Sequence, residues 1–274
     1  MSKENLNKLP DLETIRKGIE ELLLIDNWDN YKIKSSPKRF ERRFHQLFTS
    51  KLEILPRIIE PVRENSFRFK FYRLRKFSKS MNPSLISEYS YPPNHEVKSI
   101  QRANLPYHPV SYCSDNPMTA IFETARIDKR HSENSLYYLS EWQLRSDVEI
   151  RLCTFLFGII DETSPYKILA DNSELKIREL LKDYDKNQID GMIEILKYLS
   201  KLFIYDNTYV VSSFIAHNNI YPDDNYRADI FIYPSVQTDR KTVNYAIHPN
   251  AVTEKLLLQR VFKLRVPEIH KENG

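Results

Sequence analysis

The residues that could do chemistry in this chain stand out by where they sit, not by number. Phe67, Phe69 and Phe71 alternate with Arg68, Lys70 and Tyr72. This predicts a strand over 67–75 and puts Arg73 on the apolar face with the three phenylalanines. A guanidinium there is costly unless it joins a buried ion pair or faces a ligand cavity. Glu123 stands beside Ile121, Phe122 and Ala125, at the border of the buried face of a helix; a solvated boundary residue is the plain alternative. Tyr112 lies in a short strand over 109–114, ordinarily a core position. Ser235 follows Ile230-Phe231-Ile232-Tyr233-Pro234, at the end of a buried strand, where ligand groups and turn residues both occur. Arginine's planar fork clamps anions, and a carboxylate favours a positive charge developing next to it. Local pattern alone leaves both the functional and the structural reading of each residue open.

Several chemistries are excluded more firmly. The chain has four glycines, Gly18, Gly158, Gly191 and Gly274, so it has neither a P-loop nor a GxGxxG dinucleotide turn. Its seven histidines show no HExxH or other metal spacing, and Cys113 and Cys153 form no CxxC; no metal is expected. Asp223-Asp224 lacks the ligand repeat of a calcium loop and reads as a turn. The two unpaired cysteines, the absence of a signal-like start and the lack of a long apolar run predict a soluble, cytoplasmic protein without membrane contact. A net charge of +4 is mild. The basic, aromatic stretch over 68–79 is better explained as a strand with one wet face than as a nucleic-acid surface.

The elements that must position these residues follow from periodicity. Residues 1–66 read as a helical N-terminal extension, opened by Asp11-Leu12-Glu13-Thr14 and continued by Phe40, Phe44, Leu47 and Phe48. It serves self-association, a partner contact or packing on the chain's own body. Residues 80–108 read as a long loop, and Asp115-Asn116-Pro117 as a helix start. Strands are predicted over 136–144, 149–157, 230–233, 243–247 and 256–266, and helices over 172–183, 188–205 and 208–218. The fold class is α+β, a mixed β core over 67–266 flanked by helices, with a tail over 267–274.

Three motifs in order carry a resemblance. Gln101-Arg102-Ala103-Asn104, Pro109-Val110-Ser111-Tyr112-Cys113-Ser114 and Thr119-Ala120-Ile121-Phe122-Glu123 match "RxN … pvxYxs … tAlxE", with intervals of ten and eleven residues. Asp229-Ile230-Phe231-Ile232-Tyr233-Pro234-Ser235 matches "DGIxYPS", and Phe71-Tyr72-Arg73 matches an opening "YR" strand. The chain therefore resembles the RES domain family over roughly residues 67–266. It departs from the pattern at Gln101 and Ile230, where the family often has glycine.

The resemblance implies an ADP-ribosyltransferase-like fold and an enzyme that consumes NAD as a substrate, with no separate cofactor. It would cleave the nicotinamide–ribose bond as glycohydrolase or phosphorylase. It further implies phosphate contacts from Arg73 and Arg102, ribose placement by Tyr112 with Asn104 in the substrate site, charge stabilisation by Glu123 and a ligand hydroxyl from Ser235. Many relatives are toxins paired with a helix-turn-helix antitoxin, so NAD, such an antitoxin and a homo-oligomer are the partners to consider. Transfer of ADP-ribose to a macromolecule or nucleotide, and a nonenzymatic binding module, are the competing readings.

Overall fold

A computed structural model describes residues 9–33, 36–63, 69–125, 135–224 and 226–266. Two helices lead. Helix α1 (Leu12–Leu23) is capped by the Asp11 carboxylate, which accepts from Thr14 N at 2.8 Å. Helix α2 (Pro37–Leu52) starts with proline in its first turn behind the Ser36 cap and buries Phe40, Phe44, Phe48 and Leu52, a four-residue repeat that makes one apolar face. Phe44 and Phe48 touch the Phe214 ring at 5.2 and 5.7 Å, so α1 and α2 share a core with the body of the protein. The helical reading of the lead holds to Leu52; beyond it Glu60–Arg63 is a strand, β1.

An eight-stranded mixed sheet follows: β2 (Lys70–Lys76), β3 (Ser111–Ser114), β4 (Ser135–Leu144), β5 (Glu149–Thr154), β6 (Ile230–Pro234), β7 (Val243–Ile247) and β8 (Leu256–Val266), in the order β1-β5-β6-β7-β3-β2-β4-β8. Among the described residues only β5 and β6 pair in parallel; the other six neighbouring pairs run antiparallel. Helix α3 (Pro117–Ala125) follows β3. Helices α4 (Lys167–Leu180), α5 (Lys186–Tyr205) and α6 (Val210–Ile220) form the crossover from β5 to β6, and α7 (Pro249–Lys255), which the sequence reading did not include, bridges β7 to β8. Phe67 lies outside the described residues. The two sheet faces bury different clusters. One carries Phe231, Tyr233 and Ala246 against α5 and α6, and Leu74 and Leu139 against α3. The other carries Phe71, Cys113, Ile230, Ile232 and Tyr245 with Val252 of α7. No helix among the described residues is long and apolar enough to cross a membrane.

A knot of rings packs where α6 meets the start of β3 and the end of β7. His217 lies 4.7 Å from His108 and 5.4 Å from Tyr221, which in turn lies 4.7 Å from His248. Burial, with the Arg227 charge adding to it, holds His248 at about 4, and burial also lowers His108. Both imidazoles are thus held neutral in the folded protein, while the unfolded chain takes up protons near the ordinary 6.5. The stability they contribute is complete above that value and is lost as pH falls from it toward 4. Thermal melts between pH 7.5 and 4 should show a falling midpoint, and His248→Gln should flatten the fall; a midpoint independent of pH over that range contradicts it.

Candidate functional site

Glu123 and Ser235 are 112 residues apart in sequence and in direct contact: the Ser235 hydroxyl donates to Glu123 Oε1 at 2.6 Å. Two local structures bring them together. Asn116 caps α3 through Thr119 N at 2.9 Å, and Thr119 Oγ1 donates to Thr242 Oγ1 at 3.0 Å, which ties the helix to the β6–β7 turn. The turn is closed by Ser235 N to Thr242 O at 2.9 Å and Arg240 N to Ser235 O at 2.8 Å. Asp239 and Arg240 take left-handed backbone there, with φ of 51° and 64°. Ser235 is fully buried, so its hydroxyl is aimed and not free to wander.

The same carboxylate oxygen takes a second bond, from Asn244 Nδ2 at 2.7 Å, and Asn244 Oδ1 in turn accepts from the Ser114 hydroxyl at 2.7 Å. Ser114 and Asn244 are opposite each other across β3 and β7, and Asn244 and Tyr233 are opposite across β7 and β6. Paired residues share a sheet face. Tyr233, Asn244, Ser114 and, two residues along, Tyr112 therefore line the face on which α3 packs. Glu123 itself is half-buried. Among the described residues, both of its hydrogen bonds end on Oε1 and none on Oε2.

Arg102 approaches from the long loop. Gln101 and Asn104 exchange backbone hydrogen bonds at 3.2 and 3.3 Å, a tight turn with Arg102 at its tip. Arg102 Nη1 donates to the carbonyls of Phe203 and Ile204 at 2.7 and 3.1 Å, and the guanidinium lies 5.0 Å from the centre of the Tyr209 ring. It thus satisfies the carbonyl end of α5, where a cation suits the helix dipole, and keeps Nε and Nη2 outside those bonds. Tyr209 is held in left-handed backbone, φ 61°, at the entry to α6. Asp206 fixes that entry, its carboxylate accepting from Val211 N and Ser212 N at 2.8 and 2.9 Å and from Thr208 N at 2.9 Å. Asp206→Ala should cost about 2 kcal/mol, the upper end for a lost cap. Urea unfolding measures it, and a midpoint unchanged from wild type would show that the cap is dispensable.

Two expected ligand residues are spent on the protein itself. The Tyr112 hydroxyl donates to Asn104 Oδ1 at 2.8 Å and accepts from Ala103 N at 2.9 Å, while Asn104 Nδ2 donates to the carbonyls of Ser99 and Leu105, both at 3.2 Å. Asn104 is buried and braces the loop. Tyr112 offers a ring, not a hydroxyl. Burial pushes its phenol well above the ordinary value, and the Ala103 N–H and the Arg102 charge partly offset that.

Arg73 sits on β2 with Phe71, on the face opposite Tyr72 and Leu74. The pairing of β2 with β3 is confined to Tyr72 and Ser114. Beyond it Arg73 Nη1 donates to the Tyr112 carbonyl at 3.1 Å, and its Nε is sealed without a partner. No carboxylate pairs with it among the described residues, so the buried ion-pair alternative finds no support there. Burial is the main force pulling its pKa down, yet arginine keeps its proton in proteins. An unneutralised buried cation is a standing attraction for an anion.

Neither departure from the family pattern distorts the backbone. Gln101 and Ile230 both avoid positive φ, so neither position needs a glycine. Asn244 and Tyr209 escaped the sequence reading, and Ser114 and Tyr233 entered it only as motif positions without a role. A polar Asn inside the otherwise apolar run Val243–Ile247 was the available signal. A separate cleft of about 740 Å³ lies on the other sheet face, between Arg75, Glu88, Tyr91, Trp142, Arg145 and Leu256, and none of the candidate residues lines it. Asp224 of the acidic pair binds Arg57.

Comparison with family models, with curated proteins and with solved structures returned no match.

Proposed function

We propose that this protein consumes NAD by cleaving the bond between nicotinamide and ribose, as a glycohydrolase or phosphorylase, on an ADP-ribosyltransferase-like core. The observation that carries the reading is the Glu123 carboxylate, anchored through Oε1 by Ser235 and Asn244. It leaves Oε2 to face a ligand beside Arg102. Nicotinamide departs from a cationic precursor as a neutral amine, so the reaction needs no metal. The ribose left behind is oxocarbenium-like, as in glycoside cleavage. A fixed carboxylate stabilises that charge without having to reorganise as it forms.

Arg102 supplies positive charge for a pyrophosphate, and the rings of Tyr112 and Tyr209 supply flat surfaces for a base; Arg73, on the opposite face of the sheet with Phe71 and Cys113, is left out of this site. The resemblance to the RES domain family selects NAD from among anionic nucleotides, and brings with it the reading of a toxin held by a helix-turn-helix antitoxin.

The test is to incubate purified protein with NAD labelled in the adenosine half, with and without inorganic phosphate. Labelled ADP-ribose, or its phosphorylated form when phosphate is present, is expected together with free nicotinamide. Label on a macromolecule would move the reading to ADP-ribose transfer, and intact NAD would overturn it.

A further inference from the structure

Among the described residues, the Tyr233 hydroxyl has no partner. Its side chain is 5% exposed, with the ring packed 5.1 Å from Phe203 and 6.2 Å from Phe231. Its oxygen makes no hydrogen bond, yet it is absent from the polar atoms sealed from solvent without one. Some phenols of this fold are occupied: Tyr89 donates to Pro83 O at 2.7 Å and Tyr112 to Asn104 at 2.8 Å. Those of Tyr184 and Tyr198 are unpartnered but sealed. Tyr137 and Tyr138 are also buried with hydroxyls in neither group; Tyr233 differs from them in its place beside Asn244.

Tyr233 belongs to the Glu123 site. Tyr233 is the cross-strand partner of Asn244, which holds Glu123, and side chains so paired are nearest neighbours on their face. Its hydroxyl also lies in the fields of Tyr112, Glu123, Arg102 and Tyr209, with burial the largest influence on it and the net effect holding its proton on. A protonated phenol is a hydrogen-bond donor, whereas an ionised carboxylate only accepts.

We infer that Tyr233 is a ligand-contacting residue, its hydroxyl donating to a ribose hydroxyl of the substrate while Glu123 Oε2 accepts from the neighbouring one. This rests on the NAD reading and narrows it. Donor and acceptor side by side suit a cis-diol, so the site takes ribosides with both hydroxyls free on the ribose that bears the leaving base.

The experiment is Tyr233→Phe, which removes one oxygen and keeps the ring. An oxygen without a protein partner contributes no hydrogen bond to the fold, so the melting temperature should stay level or rise. With NAD, kcat/KM should fall about 10- to 100-fold, the range for losing one buried substrate contact. With an NAD analogue lacking one hydroxyl on the nicotinamide ribose, wild type should already be slow, and the substitution should add little further loss for the hydroxyl that Tyr233 reads.

An active wild type with an unimpaired Phe variant overturns the inference alone. So does a melting temperature several degrees lower in the variant, because it would give the hydroxyl a structural bond. Wild type that leaves NAD intact overturns the functional reading and this inference together.

Discussion

Glu123→Gln should lower NAD turnover by roughly 10²–10³, the range for removing one preorganised charge-stabilising group, while leaving the fold intact. The geometry makes this substitution unusually clean. Ser235 Oγ and Asn244 Nδ2 both donate to one oxygen of the carboxylate, and the amide oxygen of glutamine accepts the same two bonds. What changes is the atom that faces the ligand, from a charged acceptor to a neutral donor. Binding should therefore survive better than turnover, with kcat falling far more than KM rises. Steady-state kinetics on the folded variant measure it. Full activity would assign Glu123 to α3 packing and to nothing else.

Gly18→Ala is expected to have the largest effect on stability. A Cβ at this position would stand 1.9 Å from the Lys51 carbonyl oxygen and 2.8 Å from its carbon. The obstacle is backbone, which cannot rotate away, so α1 and α2 must separate. That parts Ile15 and Leu22 from Phe44, Phe48 and Leu52, all of them fully or nearly fully buried. Overpacking of this kind costs about 3 kcal/mol or more, a large share of the roughly 5–15 kcal/mol that holds a domain folded. A thermal melt followed by circular dichroism should show a loss on the order of 10 °C. Gly158→Ala makes the comparison: φ there is +64°, but the nearest atom is a Lys197 side-chain carbon at 3.4 Å, so about 1 kcal/mol is expected. Equal melting temperatures for wild type and Gly18→Ala would contradict the close packing of α1 on α2.

The residues of the Glu123 site were legible in proportion to how local their signals are. The alternation around Phe69 and Phe71, the Pro117 start of α3 and the apolar run before Ser235 each report on a few neighbouring residues, and β2, α3 and β6 lie where they indicate. Strand β1 was hidden because it is four residues long with Pro61 inside, a composition that reads as a linker and is tolerated only at a sheet edge. Helix α7, at seven residues, is too short to show a periodic stripe. The parallel pairing of β5 with β6, across the whole α4–α6 crossover, depends on contacts no local window contains.

The site divides the same way. Glu123 and Ser235 were named from motif order, and the fold brings these two into contact, while Arg73 lies on the other face of the sheet. The spending of the Tyr112 hydroxyl on Asn104 could not be foreseen, because it follows from the turn at 101–104 folding back onto β3. Arg102 also caps α5 through Phe203 and Ile204, a hundred residues away in sequence. Asn244 and Tyr233 looked like strand interior because they are strand interior; only the register across β3, β7 and β6 turns them toward Glu123.

The most direct measurement is release of free nicotinamide from NAD by the purified wild-type chain, run beside Glu123→Gln at equal protein concentration. Catalytic release by wild type, many nicotinamides per protein molecule, and release at least a hundredfold slower from a variant of unchanged melting temperature are the expected results, the factor being about that of one lost charge contact. Nicotinamide release that is absent from both, or equal in both, would contradict the assignment of NAD cleavage to this carboxylate.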